Sequence, residues 1–285
     1  MAYTQLRAFH AVAETGGFTK AARHLNVSQS TITLQVQELE ARFNVKLFHR
    51  KGRSTSPTES GRTLYGITKR LIHAQAEAIE FLKASETLRT GKLRLAAVGP
   101  FHATEIASAF KIRYPGVEIA MQFGNSRHTL SALLDFDADV AILAEVAEHP
   151  NVAMDSYSRH HVVVFANRGH RFFDRKSIRL EELENERFVF REEGSTTRRA
   201  FEKAIATHGV SVDRVMEIGS REGVWKAVKL GLGIGVVADF EFVPAPDLRA
   251  ISIEDADIMT NYFIAYLRER GDTPLVKAFR DVASP

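Results

Sequence analysis

The chain has 285 residues, 45% hydrophobic and 26% charged, enough apolar material for more than one core. It has no cysteine, which excludes a disulfide frame and any cysteine-based zinc site, and no stretch apolar enough to span a membrane. Its net charge of +3 is uneven: residues 1–90 hold 13 Lys and Arg against 7 Asp and Glu, the remainder 25 against 28. The basic character thus belongs to the first part, as a phosphate-binding surface requires.

The opening Met-Ala-Tyr-Thr-Gln-Leu has no apolar run behind a basic start, so no signal peptide and a cytoplasmic location are expected. Leu6, Phe9 and Val12 recur at helical spacing and predict a first helix over about 3–14, ended by Gly16-Gly17. A second helix is expected over 18–25, with Asn26-Val27 as the turn and Ser28 capping a third. In the third helix Ile32, Val36, Leu39 and Phe43 are expected on the core face. Gln29, Ser30, Thr33 and Gln37 fall largely on the other side. Short hydrogen-bonding side chains near the start of the second helix of such a pair are suited to base edges, and Gln pairs bidentately with adenine. Residues 47–57 then read as a β-hairpin with a basic tip, where Arg50, Lys51 and Arg53 would reach phosphates or the minor groove as a wing does. Ser56-Pro57-Thr58-Glu59 reads as a helix start, capped by Ser56 or equally by Thr58. Leu64, Ile67, Leu71, Ala74, Ala78, Phe81, Ser85 and Leu88 follow three and four apart, a heptad seam that predicts a dimerisation helix.

These residues resemble the LysR-type transcriptional regulators. The resemblance rests on Leu6-Arg7-Ala8-Phe9, Gly17-Phe18-Thr19, Ala21-Ala22, Val27-Ser28-Gln29, Leu39-Glu40, Leu47-Phe48 and Thr58-Glu59-Ser60-Gly61. The chain departs from the family at Ser30, Thr33 and Leu34, where Pro, Ser and Arg or His are common. The resemblance implies an α/β protein with an N-terminal all-α winged helix-turn-helix over 1–58 and a long linker helix over 59–89. It also implies a two-lobed effector domain like a periplasmic binding protein over 90–285. Lobe one would comprise 90–160 and 267–285, and lobe two 161–266. The implied partners are an operator duplex, a small-molecule effector, further copies of the chain in a homodimer or homotetramer, and RNA polymerase. No cofactor, metal or membrane is implied.

Beyond Gly91, strands at 92–98, 117–123, 140–143 and 187–190 alternate with helices near 102–113, 127–134, 196–207 and 222–229, the pattern of a mostly parallel sheet. Ligands of such sheets bind beyond the carboxyl ends of strands, and anions favour helix N-termini. Asn125-Ser126-Arg127, Gly194-Ser195-Thr196-Thr197 and Gly219-Ser220-Arg221 stand at such places, although Ser and Thr there also serve as helix caps alone. Gly99-Pro100-Phe101 opens another helix, and His102 would line the cleft or lie satisfied inside. Glu145 would face a cationic group or be an ordinary charge.

A narrower resemblance runs through Val98–Glu105, Gly124-Asn125-Ser126, Tyr157–His160, Gly194–Arg199 and Ile218–Glu222 to the subgroup linked to 2-aminoethylphosphonate catabolism. It implies that Ser126, Ser195, Thr196 and Thr197 hold the phosphonate and that Glu145 pairs with the ammonium; another small anion is the alternative. The glycines at 231–235 come in the order helix, glycines, strand, the reverse of a dinucleotide fingerprint. Asp135–Asp139 lacks the Gly and Glu of a calcium loop. The expected function is a ligand-responsive, sequence-specific regulator rather than an enzyme. An enzyme on a binding-protein-like fold fused to a DNA module stays open, as does a DNA-binding protein whose second domain only assembles oligomers.

Overall fold

Gly16 and Asn26 both adopt left-handed backbone conformations, φ 72° and 54°, and each ends a helix. There the computed structural model, which describes residues 2–51, 54–83, 90–144 and 148–284, turns from α1 (Ala2–Thr15) into α2 (Phe18–Leu25) and then α3 (Gln29–Arg42). Ser28 caps α3, its hydroxyl accepting the Thr31 amide at 3.1 Å. Phe9, Val12, Ile32, Val36, Leu39, Leu47 and Phe48 bury a common core, with the Phe9 and Phe48 rings 5.3 Å apart. Phe43 does not join it. It is 61% exposed because it follows the last residue of α3, with φ −105°, so helical spacing no longer sets its direction.

β1 (Phe48–Lys51) and β2 (Ser54–Pro57) pair antiparallel, Phe48 opposite Pro57. The Thr58 hydroxyl donates to the Lys46 carbonyl at 2.7 Å and accepts the Gly61 amide at 3.0 Å. Thr58 is therefore the cap of α4 (Glu59–Lys83). A start at Ser56 is excluded because Ser56 and Pro57 belong to β2. Gly61 is required here, since a methyl group would collide with the Leu47 carbonyl. Leu64 and Tyr65 pack on the core, and Thr68 reaches His10 Nδ1 at 3.1 Å. On the expected seam, Ile67, Leu71, Ala74 and Ala78 are exposed. Ser85, Leu88 and the Phe81 side chain lie outside the described residues. The chain divides into units Met1–Glu86 and Thr87–Pro285, so α4 belongs with the helix-turn-helix.

The second unit is α/β. β3 (Gly91–Ala97), α5 (Pro100–Arg113), β4 (Val117–Phe123), α6 (Ser126–Leu134) and β5 (Val140–Ala144) build a parallel set in the order β4–β3–β5. β6 (Val152–Asn167) then leaves this lobe and enters the next. After β7 (Ser177–Ile178) come β8 (Arg187–Arg191), α7 (Thr196–Thr207), β9 (Asp213–Ile218), α8 (Arg221–Lys229), β10 (Gly235–Ala238) and β11 (Leu248–Ile253). β12 (Met259–Leu267) returns, and α9 (Pro274–Ala283) packs on the first lobe. β10 and β11 pair with the far half of β6, while β12 pairs with its near half and with β5.

Each lobe has its own core. Phe110, Ile142, Ile264 and Phe279 are buried in the first, and Phe172, Phe188, Phe201 and Ile251 in the second. Ile258 packs in the second core and Ile264 in the first, so the return crossing lies between them rather than at the expected 266. The sequence misleads here because β12 reads as one strand, whereas its register on β6 shifts between Tyr262 and Phe263. Asp139 closes the first lobe. Its buried carboxylate accepts Arg94 Nη2 at 2.7 Å and Arg270 Nη1 at 2.8 Å, which gives the acidic run a structural role. Gly231, at φ 79°, ends α8 ahead of β10.

Candidate functional site

In the first unit Gln29, Ser30 and Gln37 are exposed on α3, and Thr33 is half-buried. The Thr19 hydroxyl at the start of α2 donates to Gln29 Oε1 at 2.8 Å, which fixes the amide end of Gln29 and leaves its N–H donors facing outward. Thr33 donates its hydroxyl to the Gln29 carbonyl at 2.9 Å, and the Ser28 and Ser30 hydroxyls lie 2.8 Å apart. Leu34 is 56% exposed on the same helix. Arg50 and Lys51 are in β1, with their side chains outside the described residues; Arg53 lies outside them altogether.

Glu40 connects α3 to the hairpin. Its buried Oε1 accepts the Leu47 and Phe48 amides at 2.7 and 3.3 Å. A carboxylate is suited to this because it accepts two backbone donors at once. Glu40 thus ties the start of β1 to α3, alongside the packing of Leu47 and Phe48 in the common core.

In the second unit all three hydroxyl-rich segments are helix caps. Asn125 Oδ1 accepts the His128 amide at 3.0 Å, Ser195 Oγ the Arg198 amide at 3.3 Å, and Ser220 Oγ the Gly223 amide at 3.1 Å. They differ in what else they do. Ser126 is buried and donates its hydroxyl to the Ala144 carbonyl at 2.8 Å, so backbone occupies the group expected to hold an anion. Arg127 and Ser220 are exposed, and Thr196 is half-buried. Glu145 lies outside the described residues.

Ser195, Thr197 and Arg221 converge. With Arg191, Trp225 and Glu241 they line a cavity of about 20 Å³, room for about one water molecule. Arg221 Nη2 donates to Glu241 Oε1 at 2.8 Å, and the Glu241 side chain is only 3% exposed. Burial pushes the Glu241 carboxyl up, against the lowering charges of Arg221 and Arg191. This ion pair sits against the start of α5: a Cβ on Gly99 would lie 2.8 Å from Arg221 Nη1 and 3.0 Å from Glu241 Oε1. Arg191 Nε donates to Glu192 Oε2 at 2.8 Å, and Asn125 Nδ2 donates to Glu192 Oε1 at 3.2 Å, a bond from one lobe to the other. A side chain at Gly194 would strike Asn125, so the lobes meet closely there.

A second void of about 10 Å³ adjoins the start of α5, between His102, Phe240, Glu241 and Tyr262. Burial raises the Tyr262 hydroxyl well above the ordinary range, and the charge of Glu241 adds to this. His102 stacks on Phe240 with ring centres 4.0 Å apart, and Phe101 meets the same ring edge-on. Pro100 occupies the first turn of α5.

Arg191, Glu192 and Glu241 were not singled out from sequence. Arg191 carries a legible signal, as the residue at the carboxyl end of Phe188-Val189-Phe190. Glu241 carries none, since it lies in a short turn after β10. Among the described residues no group of three or more His, Asp or Glu is placed to hold a metal ion, and no helix is long and apolar enough to cross a membrane.

Two family profiles match the chain: the bacterial regulatory helix-turn-helix protein, lysR family, over residues 3–62, and the LysR substrate binding domain over 86–284. Among curated relatives, the HTH-type transcriptional activator CmpR of Synechocystis sp. is 29% identical, covering 97% of this chain and 93% of its own. The HTH-type transcriptional regulator CbbR of Sinorhizobium medicae is 30% identical, covering 96% and 90%. Full-length CbnR in complex with its target DNA superposes with a TM-score of 0.76 at 19% identity, covering 99% of both chains. The Synechocystis CcmR regulatory domain in complex with 2-PG superposes at 0.61 with 25% identity, covering 68% of this chain and 96% of that one.

Proposed function

The chain belongs to the LysR family of DNA-binding transcriptional regulators, and on that premise we propose that its α/β unit senses a small organic anion bearing a phosphate or phosphonate group. It is a regulator, not an enzyme. The observation that carries the proposal is the convergence of Arg191, Arg221, Ser195 and Thr197 on one cavity of the second lobe, between the starts of α7 and α8. Two guanidinium groups with adjacent hydroxyls match the geometry of a tetrahedral oxyanion. The CcmR complex with 2-PG gives the reading independent support.

The cavity is too small for such a ligand as it stands, so binding requires it to widen; the start of α5, whose Gly99 lies against Arg221 and Glu241, would move away with the first lobe and close again. β6 and β12 are the strands that would bend. An effector that binds one lobe arrangement better than another shifts the population toward it, and DNA affinity changes by the same coupling. In the first unit α3 would read base edges through Gln29, Ser30, Thr33 and Gln37, with Arg50, Lys51 and Arg53 on phosphates. The exposed stripe Ile67, Leu71, Ala74 and Ala78 on α4 would pair with a second copy and present two recognition helices to two half-sites. A homotetramer on one operator, and contact with RNA polymerase, extend the same reading.

Within the anion class, 2-aminoethylphosphonate and a phosphorylated carboxylic acid differ at the end away from the tetrahedral group, one an ammonium and the other a carboxylate. The test is a thermal-shift screen of the full chain with both compounds, inorganic phosphate, sulfate and simple carboxylates, followed by operator titration with each hit. A selective rise in midpoint with a phosphorylated or phosphonate ligand, and a change in DNA affinity with the same ligand, is the expected outcome. Response to carboxylates alone would overturn the headgroup assignment.

A further inference from the structure

Both arginines of the cleft cavity are already matched by carboxylates of the chain itself. Arg191 is held by the neighbouring Glu192, at 2.8 Å from Nε to Oε2, and Arg221 by Glu241, at 2.8 Å from Nη2 to Oε1. The two pairs are not equivalent. Glu192 is part-exposed, whereas the Glu241 side chain is 3% exposed and its Oε1 lies against Gly99, where α5 begins. A buried carboxylate bonded to a guanidinium beside a helix N-terminus has the surroundings an anionic ligand needs.

We infer that Glu241 is a built-in occupant of the anionic subsite, and that an effector's oxyanion group takes its place beside Arg221. This rests on reading the cavity as the effector site. The exchange sets specificity. A monoanion that replaces one carboxylate with another gains little charge interaction with Arg221. A dianion, such as a phosphate, phosphonate or sulfate group, brings a second charge and additional acceptor atoms for Ser195, Thr197 and Arg191. The chain thus discriminates against simple carboxylates before any contact with the remainder of the ligand is made.

The exchange also couples binding to protons. Displaced from Arg221 but still enclosed, Glu241 is better accommodated protonated, because burial disfavours its charged form. The groups around it are Arg221 on α8, Arg191 at the end of β8 with Glu192 beside it, Tyr262 on β12, His102 on α5 and Asp239 on its own turn. Of these His102 also gains charge as pH falls and would favour an anion too, so the contribution of Glu241 is isolated by substitution rather than by pH alone.

The test uses the full chain and sulfate, whose charge is constant between about pH 5 and 8. Trp225 is the only tryptophan and lines the cavity, so its fluorescence reports binding. Glu241→Gln keeps the shape and leaves Arg221 without a countercharge. It should bind sulfate at least tenfold more tightly than the unsubstituted chain and lose most of the pH dependence. Adding Arg221→Gln should abolish the gain. Equal or weaker binding by Glu241→Gln, or a gain that survives Arg221→Gln, overturns the inference. If Glu241→Gln misfolds, a His102→Asn chain decides: with that second source of charge removed its sulfate affinity must still fall as pH rises from 5 to 8, and a flat profile overturns the inference. Failure here is separable from failure of the effector reading. Glu241→Gln that gains sulfate while no anion alters operator binding leaves the occupancy standing and removes the sensor. Anions that alter operator binding without that gain do the reverse.

Discussion

His102 Nε2 lies 3.1 Å from His160 Nε2, joining the first helix of one lobe to the strand that crosses into the other. Only one proton fits between the two nitrogens, so one imidazole donates and the other accepts. On the far side of the pair, His160 Nδ1 lies 3.2 Å from Asp239 Oδ1 in the second lobe, and Phe240 stacks on His102. A proton added to the accepting nitrogen turns the contact into two opposed N–H groups. Burial holds the His102 imidazole below its ordinary value, the charge of His160 lowers it further, and Glu105 pulls the other way. A depressed histidine binds fewer protons folded than unfolded. Its contribution to stability is therefore complete above the unfolded value of about 6.5 and is lost as pH falls below it toward the folded value. The thermal midpoint of the α/β unit is expected to drop between pH 7 and 5, and His102→Asn should flatten that drop. A midpoint that responds equally to pH with and without His102 would show that the pair does not sense protons.

Asp139 makes a prediction of the same sign in a more acidic window. Burial alone would raise its carboxyl, but the hydrogen bonds and charge of Arg94 and the charge of Arg270 outweigh it and hold the group below its ordinary range. Its stabilisation is present above the unfolded value of about 3.8 and is lost as pH falls through the folded value. Asp139→Asn leaves two arginines facing an amide and should cost about 3–5 kcal/mol. Urea unfolding at pH 7 followed by circular dichroism measures this; a loss below about 1 kcal/mol would mean that Arg94 and Arg270 find water instead.

Glu40 tests how the hairpin is held. Glu40→Ala leaves the Leu47 and Phe48 amides without their acceptor and should destabilise the first unit by about 2–3 kcal/mol. Because those amides start β1, operator affinity should fall even though Glu40 touches no DNA in the proposed mode. Glu40→Gln retains one acceptor oxygen and should lie between. Equal operator binding by all three proteins would separate hairpin position from DNA reading.

Much of this was legible in the sequence, for identifiable physical reasons. The Ser28 cap, the Gly16 and Asn26 turns and the Ile32–Val36–Leu39 stripe are local signals, each set within a few residues. Starts of α5, α6, α7 and α8 were legible for the same reason. The ambiguity at Ser56 and Thr58 was settled only by β2, a pairing between residues about nine apart. Phe43 shows the limit of periodicity: the stripe continues past the residue where the helix ends. In the cleft, caps and cavity-lining residues look alike in sequence. Ser126 and Ser195 both open helices, yet only Ser195 reaches the cavity. Glu241 depends on a contact with Arg221, 20 residues away on a different element, and no local pattern announces it.

Gln29 and Gln37 allow the recognition surface to be tested apart from its charge. Thr19 orients the Gln29 amide by accepting none of its N–H groups, so those donors remain free for a base edge. Gln29→Ala should therefore weaken specific operator binding by about 1–3 kcal/mol while leaving binding to unrelated duplex nearly unchanged. Gln37→Ala, one face further along α3, should act in the same direction. Side chains on phosphates behave differently. Replacing Arg50 or Lys51 by Gln should weaken specific and unrelated duplex alike and reduce the slope of log affinity against log salt by about one for each phosphate no longer neutralised. Anisotropy titrations of both duplexes across a salt series distinguish the two classes. A Gln29 variant that loses affinity equally for every duplex would place that residue on the backbone rather than on a base.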